Sequence, residues 1–374
     1  MYAALFSWLE EVKQRFFPFT EWAGELKDKR TLRADLIAGV TVALVLVPQS
    51  MAYAQLAGLP AYYGLYASFL PPMIAAIFGS SRQLATGPVA MVSLMTATAL
   101  APLAAQGSEQ LYAYALTLAL MVGVFQLALG LLRLGVVVDL LSHPVVVGFT
   151  NAGALIIATS QLNKIFGVDK GAGEHHYESV YNTIANAFES THMPTLYMAL
   201  IAIGIMVFVK RYNPKLPGVL IAVVVTTLLS WMMDFQSAGG RVVGEVPQGL
   251  PGITFKGFDF SIMGQLMMSA LIISLVGFME AIAVAKAMAA RTKQRLEANQ
   301  ELVGQGLSNF VSGLFSGYPV SGSFSRSAVN INAGAITGFS SVVTAAVVGI
   351  TLLVLTPLLF HLPLATLAAV IILA

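Results

Sequence analysis

No cysteine occurs among the 374 residues, so neither a disulfide framework nor a thiolate metal site is available to this chain. Charge is scarce as well: Asp, Glu, Lys and Arg make up 10% of the residues, where a soluble globular domain carries about 25%. With 57% hydrophobic residues and a mean hydropathy of +0.79, that shortage excludes a soluble fold and predicts an all-α polytopic membrane protein. The formal net charge of +2 is too small to imply a nucleic-acid partner. There is no P-loop, nucleophile elbow or HExxH, hence no basis for ATP-driven transport or an intramembrane hydrolase, and nothing calls for a cofactor. Residues 1–33 mix six basic with five acidic residues around no long apolar core, which argues against a cleaved signal peptide. The arm over 1–34 is expected to be cytoplasmic and partly helical, lying against the bilayer.

What is present is a series of apolar segments long enough to cross about 30 Å of hydrocarbon. They fall at 35–57, 62–78, 112–132, 136–160, 194–210, 217–234, 262–285, 297–315 and 340–360. Two polar stretches interrupt them. Ser321 to Gly338, SGSFSRSAVNINAGAITG, carries four serines, an arginine and two asparagines; Ser80 to Thr98 has a cap-like Thr86-Gly87 followed by Pro88, which is expected to open a helix. A helix over 88–102 is ~22 Å long and one over 325–337 ~19 Å, so each is read as a half-helix beginning inside the membrane. The last run, from Leu364, stops within an apolar helix, and the chain is expected to be a piece of a longer protein.

Basic residues orient the layout. With each half-helix counted as one crossing and the N-terminal arm inside, fifteen Lys and Arg fall inside and four outside (Lys164, Lys170, Arg241, Lys256), with Arg326 in the membrane. By the positive-inside rule the N-terminus is cytoplasmic. Internal similarity points to inverted repeats. An offset of 237 sets Thr86 against Ser323 and Pro88 against Ser325, and Gln49 lies 231 residues before Glu280. Inverted repeats with broken helices meeting at the midplane are a transporter plan.

Two helix N-termini facing each other make an anion site, because each presents unpaired N–H groups and about half a positive charge. Gly87, Val89 and Ala90 are the expected N–H donors on one side and Phe324, Ser325 and Arg326 on the other, joined by the Ser323 and Ser325 hydroxyls and the Arg326 charge. The alternative is that these small residues only let helices pack closely, which leaves the arginine without a reason. Glu280 sits in an apolar span, where a charge costs about 2.5–3.5 kcal/mol or more; it either carries a coupling proton or pairs with Arg326. Gln49 either satisfies the carbonyl freed by Pro48 or points at the ligand. Tyr53, one turn on, either walls the pocket or packs as an ordinary aromatic. His175, His176 and His192, near Asp169, Glu174, Glu178 and Glu189, lack helical metal-ligand spacing and are expected in a solvated external loop.

Four motifs in order, DLIAGVTVALVLVPQSMAYAQLAGLPAYYGLYASFLPP, LATGPVAMVSLM, FMEAIAVAKAMA and SGSFSRSAVNINAGA, resemble the SulP (sulfate permease and prestin-type) anion transporter family from about Leu32 to the end. The resemblance implies fourteen segments in two inverted repeats of seven, a core and a gate domain, and an elevator-like shift of the core. It implies a core over 35–134 and 261–361, and a gate over 135–260 that resumes at 362–374. The anion is held in similar proteins at the positions of Gln49, Tyr53, Val89, Ser323 and Ser325, with Arg326 supplying positive potential; the position of Glu280 is linked to proton coupling in relatives that symport. Val89 replaces an aromatic found in some relatives, and the last gate segments and the usual STAS domain do not appear. The expectation is a homodimeric secondary active transporter of a bacterial-type inner membrane, with a proton and an inorganic anion as partners. Sulfate is favoured over bicarbonate, chloride or a dicarboxylate; an anion channel, or a receptor or voltage-responsive motor without turnover, can use the same site.

Overall fold

The computed structural model describes residues 17–105, 107–136, 143–173, 175–213, 216–254 and 260–373. Lys13, Arg15, Lys215 and Lys256 of the charge reading lie outside them, as do Glu174 of the expected external loop and residues 137–142 of the expected span 136–160. A helical turn, Thr20–Ala23, and a 3-10 turn, Gly24–Lys27, precede the first long helix. Trp22 is buried, and Glu25 pairs with Arg82 at 2.8 Å, so this part of the arm is fastened to the body of the protein.

The apolar runs become helices because the chain has no water to satisfy its backbone and must do so within each segment. In order they are α1 (Lys29–Leu56), α2 (Tyr62–Tyr66), α3 (Leu70–Phe78), strand β1 (Ala85–Gly87), α4 (Ala90–Leu100) and α5 (Glu109–Leu131). Then come α6 (His143–Ser160), α7 (Leu162–Phe166), α8 (His176–Ser190), α9 (Met193–Tyr212) and α10 (Gly218–Met232). The chain continues with α11 (Met263–Thr292), α12 (Ala298–Leu314), strand β2 (Ser321–Ser323), α13 (Phe324–Asn332), α14 (Phe339–Ile350) and α15 (Leu364–Leu373). Among the described residues five helical stretches are long and apolar enough to cross a membrane: α1, α5, α9, α11 and Phe339–Leu359. This is a multi-pass membrane protein.

Several expectations change in detail. The run 62–78 is two helices, α2 and α3, broken before Pro71-Pro72, whose rings set the start of α3. The run 340–360 is helical in α14 only to Ile350, then widens into a π turn, Thr351–Leu355, and tightens into a 3-10 turn at Pro357. The run 297–315 is one helix, α12, but it buries Glu301, Gln305, Ser308, Asn309 and Ser312, so it is a polar strut inside the protein and not a lipid-facing span. The predicted external loop contains a helix, α8. His176 Nε2 shares a hydrogen bond with Thr159 and His192 bonds Thr195 and the Ala238 carbonyl, so both serve local structure.

Packing sorts the helices into two groups. α12 lies along α5 and α3, α11 along α5, and α14 along α1. The α5–α12 contact is close because Gly123 and Gly306 face it: a Cβ on Gly123 would stand 2.4 Å from the Phe310 nitrogen, and one on Gly306 2.6 Å from the Leu127 nitrogen. The second group gathers α9, α10 and α15, with Ala199, Ala202, Ala222, Ala365 and Ala368 at the seams. α1 touches both groups.

Candidate functional site

The two polar stretches meet. β1 and β2 pair antiparallel, Ala85 with Ser323, Thr86 with Gly322 and Gly87 with Ser321, and each runs into a short helix, α4 or α13. Because the strands are antiparallel, the helices leave a common centre in opposite directions and their N-termini face one another. Pro88 does not open the helix as expected. Val89, extended at φ −135°, is the N-cap, and α4 starts at Ala90. Ser323 caps α13, its Oγ accepting from the Arg326 N–H at 3.4 Å. That N–H is therefore taken by the cap, and the expected donor role of the Arg326 backbone is corrected. The internal alignment shifts too. The strands correspond at an offset of 236 and the helix starts at 234, because Pro88 and Val89 have no counterparts between β2 and α13.

Extended backbone at this depth needs partners for its N–H groups. The Glu301 carboxylate accepts from the N–H groups of Ser80 and Ser81 at 3.0 and 2.9 Å. Ser327 Oγ accepts from the Ala85 N–H at 2.9 Å, and Asn309 Oδ1 from that of Val320 at 2.7 Å. Gln305 Nε2 donates to Thr86 Oγ1 at 2.8 Å. The α12 residues Glu301, Gln305 and Asn309, one turn apart, thus brace the approaches to both strands.

At the centre lies Arg326. It is 0% exposed, and its Nε, Nη1 and Nη2 all lack a hydrogen-bond partner among the described residues. Its guanidinium runs beneath β1: a Cβ on Gly87 would stand 3.3 Å from Nη2, and Gly87 has φ +152°, a conformation suited to glycine. Glu280 on α11 forms no ion pair with it. Its Oε2 is itself buried without a partner, so the pairing alternative raised for Glu280 is not what the structure has. α11 is tied to β2 one turn earlier by Ser321 Oγ donating to the Gly277 carbonyl at 2.6 Å. Gln49 and Tyr53 on α1 are 3% and 5% exposed. Gln49 Oε1 has no partner, and its amide makes no bond to the backbone that Pro48 frees.

A cavity of about 710 Å³ opens between the two helix groups. Thr41, Gln49, Ser325 and Val329 form one wall, and the opposite wall reaches Lys210 and Arg211 at the C-terminal end of α9. Of the predicted residues, Gln49 and Ser325 line it; Tyr53, Val89, Ser323 and Arg326 are buried behind. The Phe324 side chain is 61% exposed and contributes only backbone to the helix start.

The sequence pattern of the Sulfate permease family matches residues 32–374. The chain belongs to that family. Relatives include Sulfate transporter 4.1, chloroplastic, of Arabidopsis thaliana, 39% identical over 98% of this chain and 54% of the relative. A probable sulfate transporter of Mycobacterium tuberculosis is 38% identical over 92% and 61% respectively. The chain spans between about half and three-fifths of the length of these curated relatives. Its structure is similar to that of the murine Solute Carrier 26 family member A9 anion transporter in the inward-facing state, with TM-score 0.87, 27% identity, and 99% and 63% coverage. It is also similar to the transmembrane domain of the cyanobacterium bicarbonate transporter BicA, with TM-score 0.82, 28% identity, and 92% and 88% coverage. This sulfate permease family member shares the fold of those transmembrane domains, whose plan is an inverted repeat of seven plus seven segments.

Some parts of the site carried no flag in the sequence reading. Tyr318, 0% exposed, shares a 3.1 Å hydrogen bond between its Oη and Ser93 Oγ of α4, linking the β2 approach to the other half-helix. The polar rungs of α12 carried a visible signal, Glu301, Gln305 and Asn309 at intervals of four, but an averaged hydropathy hides it. In this sulfate permease family chain those rungs hold the crossing from which the half-helices start.

Proposed function

We propose that this chain is the membrane domain of a secondary active anion transporter that binds its substrate at the crossing of β1 and β2. The observation that carries the reading is the Arg326 guanidinium, fully buried with three unpartnered nitrogens, between two facing helix N-termini. A buried cation without a counter-ion is costly, and an anion among those donors offsets the cost. Ser323, Ser325, Gln49 and Tyr53, with the backbone at Gly87, Val89, Ala90 and Phe324, complete the site. The names of the curated relatives favour sulfate as the substrate.

On this reading residues 35–134 and 261–361 form the core and residues 135–260 and 362–374 belong to the gate. With the N-terminus cytoplasmic and the membrane a bacterial-type inner membrane, the cavity beside Lys210 and Arg211 opens inward. Transport is an elevator-like displacement of the core, Glu280 carries a coupling proton, and two chains form a dimer. The test is uptake of labelled sulfate into proteoliposomes, with and without an inward proton gradient, competed by bicarbonate, chloride and fumarate. Gradient-driven accumulation resistant to the competitors is the expected outcome. Strong competition by one of them reassigns the substrate, and downhill flux without accumulation under any gradient identifies a channel.

A further inference from the structure

Helix α8 wears its amphipathic pattern the wrong way round for a helix in water. Tyr177, Tyr181, Ile184 and Phe188 are 69, 73, 39 and 89% exposed. Their spacings of four, three and four keep them within an arc of about 60° at 3.6 residues per turn. The opposite flank, held to the protein, is polar. Ser179 and Thr183 are buried there, Ser179 Oγ donating to the Gly171 carbonyl at 2.7 Å and Thr183 Oγ1 accepting from the Gly171 N–H at 2.9 Å. A third flank carries Glu178, Asn182 and Glu189, of which Asn182 and Glu189 are exposed, Asn182 Nδ2 also donating to the Ala172 carbonyl. The helix thus has one face on protein through polar bonds, one apolar face turned out, and one polar face.

The chain itself says what lies against the apolar face. α8 ends at Ser190 and α9, long and apolar enough to span a membrane, begins at Met193. The connection covers at most ~11 Å. The first turns of α9 expose Met193, Tyr197 and Leu200 at 54, 60 and 53%, so the outward stripe of α8 continues into the outward face of a spanning helix. Tyrosine and phenylalanine suit the boundary between headgroups and acyl chains. α8 contains no Lys or Arg, which sets its attachment apart from helices drawn down by anionic lipid.

We propose that α8 is an interfacial helix, lying in the leaflet where α9 enters and inserting Tyr177, Tyr181, Ile184 and Phe188 at the headgroup boundary, with Asn182 and Glu189 facing water. Attachment is by apolar insertion, so it is insensitive to salt and to lipid charge. α8 packs on α6 and α7, and it fastens that part of the molecule to the bilayer whatever the transported anion is.

The absence of cysteine makes the test direct. Tyr181→Cys and Asn182→Cys are each labelled with an environment-sensitive fluorophore and the protein is reconstituted in phosphatidylcholine nanodiscs, with and without lipid spin-labelled near the headgroup. The expected result is blue-shifted emission at position 181, with quenching by the spin-labelled lipid at least twofold stronger than at 182. Quenching by aqueous iodide takes the reverse order, and neither changes with salt or with added phosphatidylglycerol. Phe188→Cys serves as a second apolar site and follows 181. Equal iodide quenching at 181, 182 and 188 overturns the proposal, because the stripe then faces water. A label at 181 shielded from both iodide and lipid, with a bifunctional thiol reagent joining two chains there, also overturns it and assigns the face to a second copy.

Discussion

Replacing Arg326 by Gln separates a ligand-binding arginine from a structural one, because the two roles predict opposite signs. The side chain is 0% exposed, and among the described residues no carboxylate pairs with it and all three guanidinium nitrogens lack partners. Burying a cation costs several kcal/mol even after relaxation, so the anion-free protein carries a penalty that Gln removes. The same change deletes the attraction to the anion. At about 4 Å, a contact distance, and an effective dielectric constant of about 20, two unit charges attract by about 4 kcal/mol, a factor of about 1,000 in Kd. The assay is thermal unfolding of the purified protein across a sulfate titration, with Kd checked by calorimetry. The native protein should rise in Tm with sulfate, as any ligand that binds only the folded state requires. Arg326→Gln should start from an equal or higher anion-free Tm and show no sulfate response at concentrations that saturate the native protein. A lower anion-free Tm with unchanged sulfate affinity refutes the reasoning and makes Arg326 a structural cation.

Ser325→Glu puts a negative charge on the cavity wall at the mouth of α13 and should abolish anion binding; unchanged affinity in the same titration moves the site elsewhere. Glu280→Gln should leave anion binding largely intact and remove the dependence of uptake on a proton gradient, whereas an unaltered gradient response returns Glu280 to a structural role. Burial lowers the Lys164 ammonium from its ordinary 10.5 to about 8, and its Nζ donates to Gln55 Oε1 at 3.3 Å. Between about 8 and 10.5 the unfolded chain then holds the extra proton, so stability rises with pH across that window. Lys164→Met should flatten that rise in Tm measured at pH about 7.5 and about 9.5; a slope unaffected by the change assigns the dependence to another group. Glu301→Gln should destabilise by about 2 kcal/mol, since both carboxylate oxygens accept, one from Ser80 and Ser81 and the other from Gln305, and an amide replaces one of them with an NH2 that accepts nothing. Equal unfolding midpoints for the two proteins would count against a bracing role.

The helices were legible because apolar length is a one-dimensional signal, and α1, α5, α9 and α11 fall where it put them. The crossing was legible as well, since serines, glycines and an arginine in line with spans cannot be ordinary lipid-facing helix. Its register was not. The two residues Pro88 and Val89 separate β1 from α4, while β2 runs straight into α13, and only the strand pairing fixes which residues correspond. Phe324 stood in the motif and turned its side chain outward, which a list of adjacent letters does not distinguish from turning inward. α12 passed as a span because averaging over its length conceals Glu301, Gln305 and Asn309 on one face. The sequence around α8 resembles a loop because histidines and acids are interspersed with the apolar positions 177, 181, 184 and 188, whose spacing is helical.

The bonds around the site decide which of its parts can move separately. β1 and β2 bind the two half-helices into one sheet, and α12 braces both approaches. Asp35, 0% exposed on α1, accepts from the Ile336 N–H at 2.7 Å, the Thr337 N–H at 3.1 Å and the Thr337 hydroxyl. Thr344 adds a bond to the Gly39 carbonyl at 2.9 Å. The helix carrying Gln49 and Tyr53 is thus locked to the segment just beyond α13, and Gln49, Tyr53, Val89, Ser323, Ser325 and Arg326 belong to one mechanical unit. The far wall of the cavity, with Met206, Lys210 and Arg211, stands on α9 in the other helix group. The bonds within this unit tie its parts to one another. On the proposed transporter reading, exchanging the open side would displace that unit as a whole against α9, α10 and α15. A bonded unit facing a separately packed helix group suits the proposed carrier better than a fixed pore.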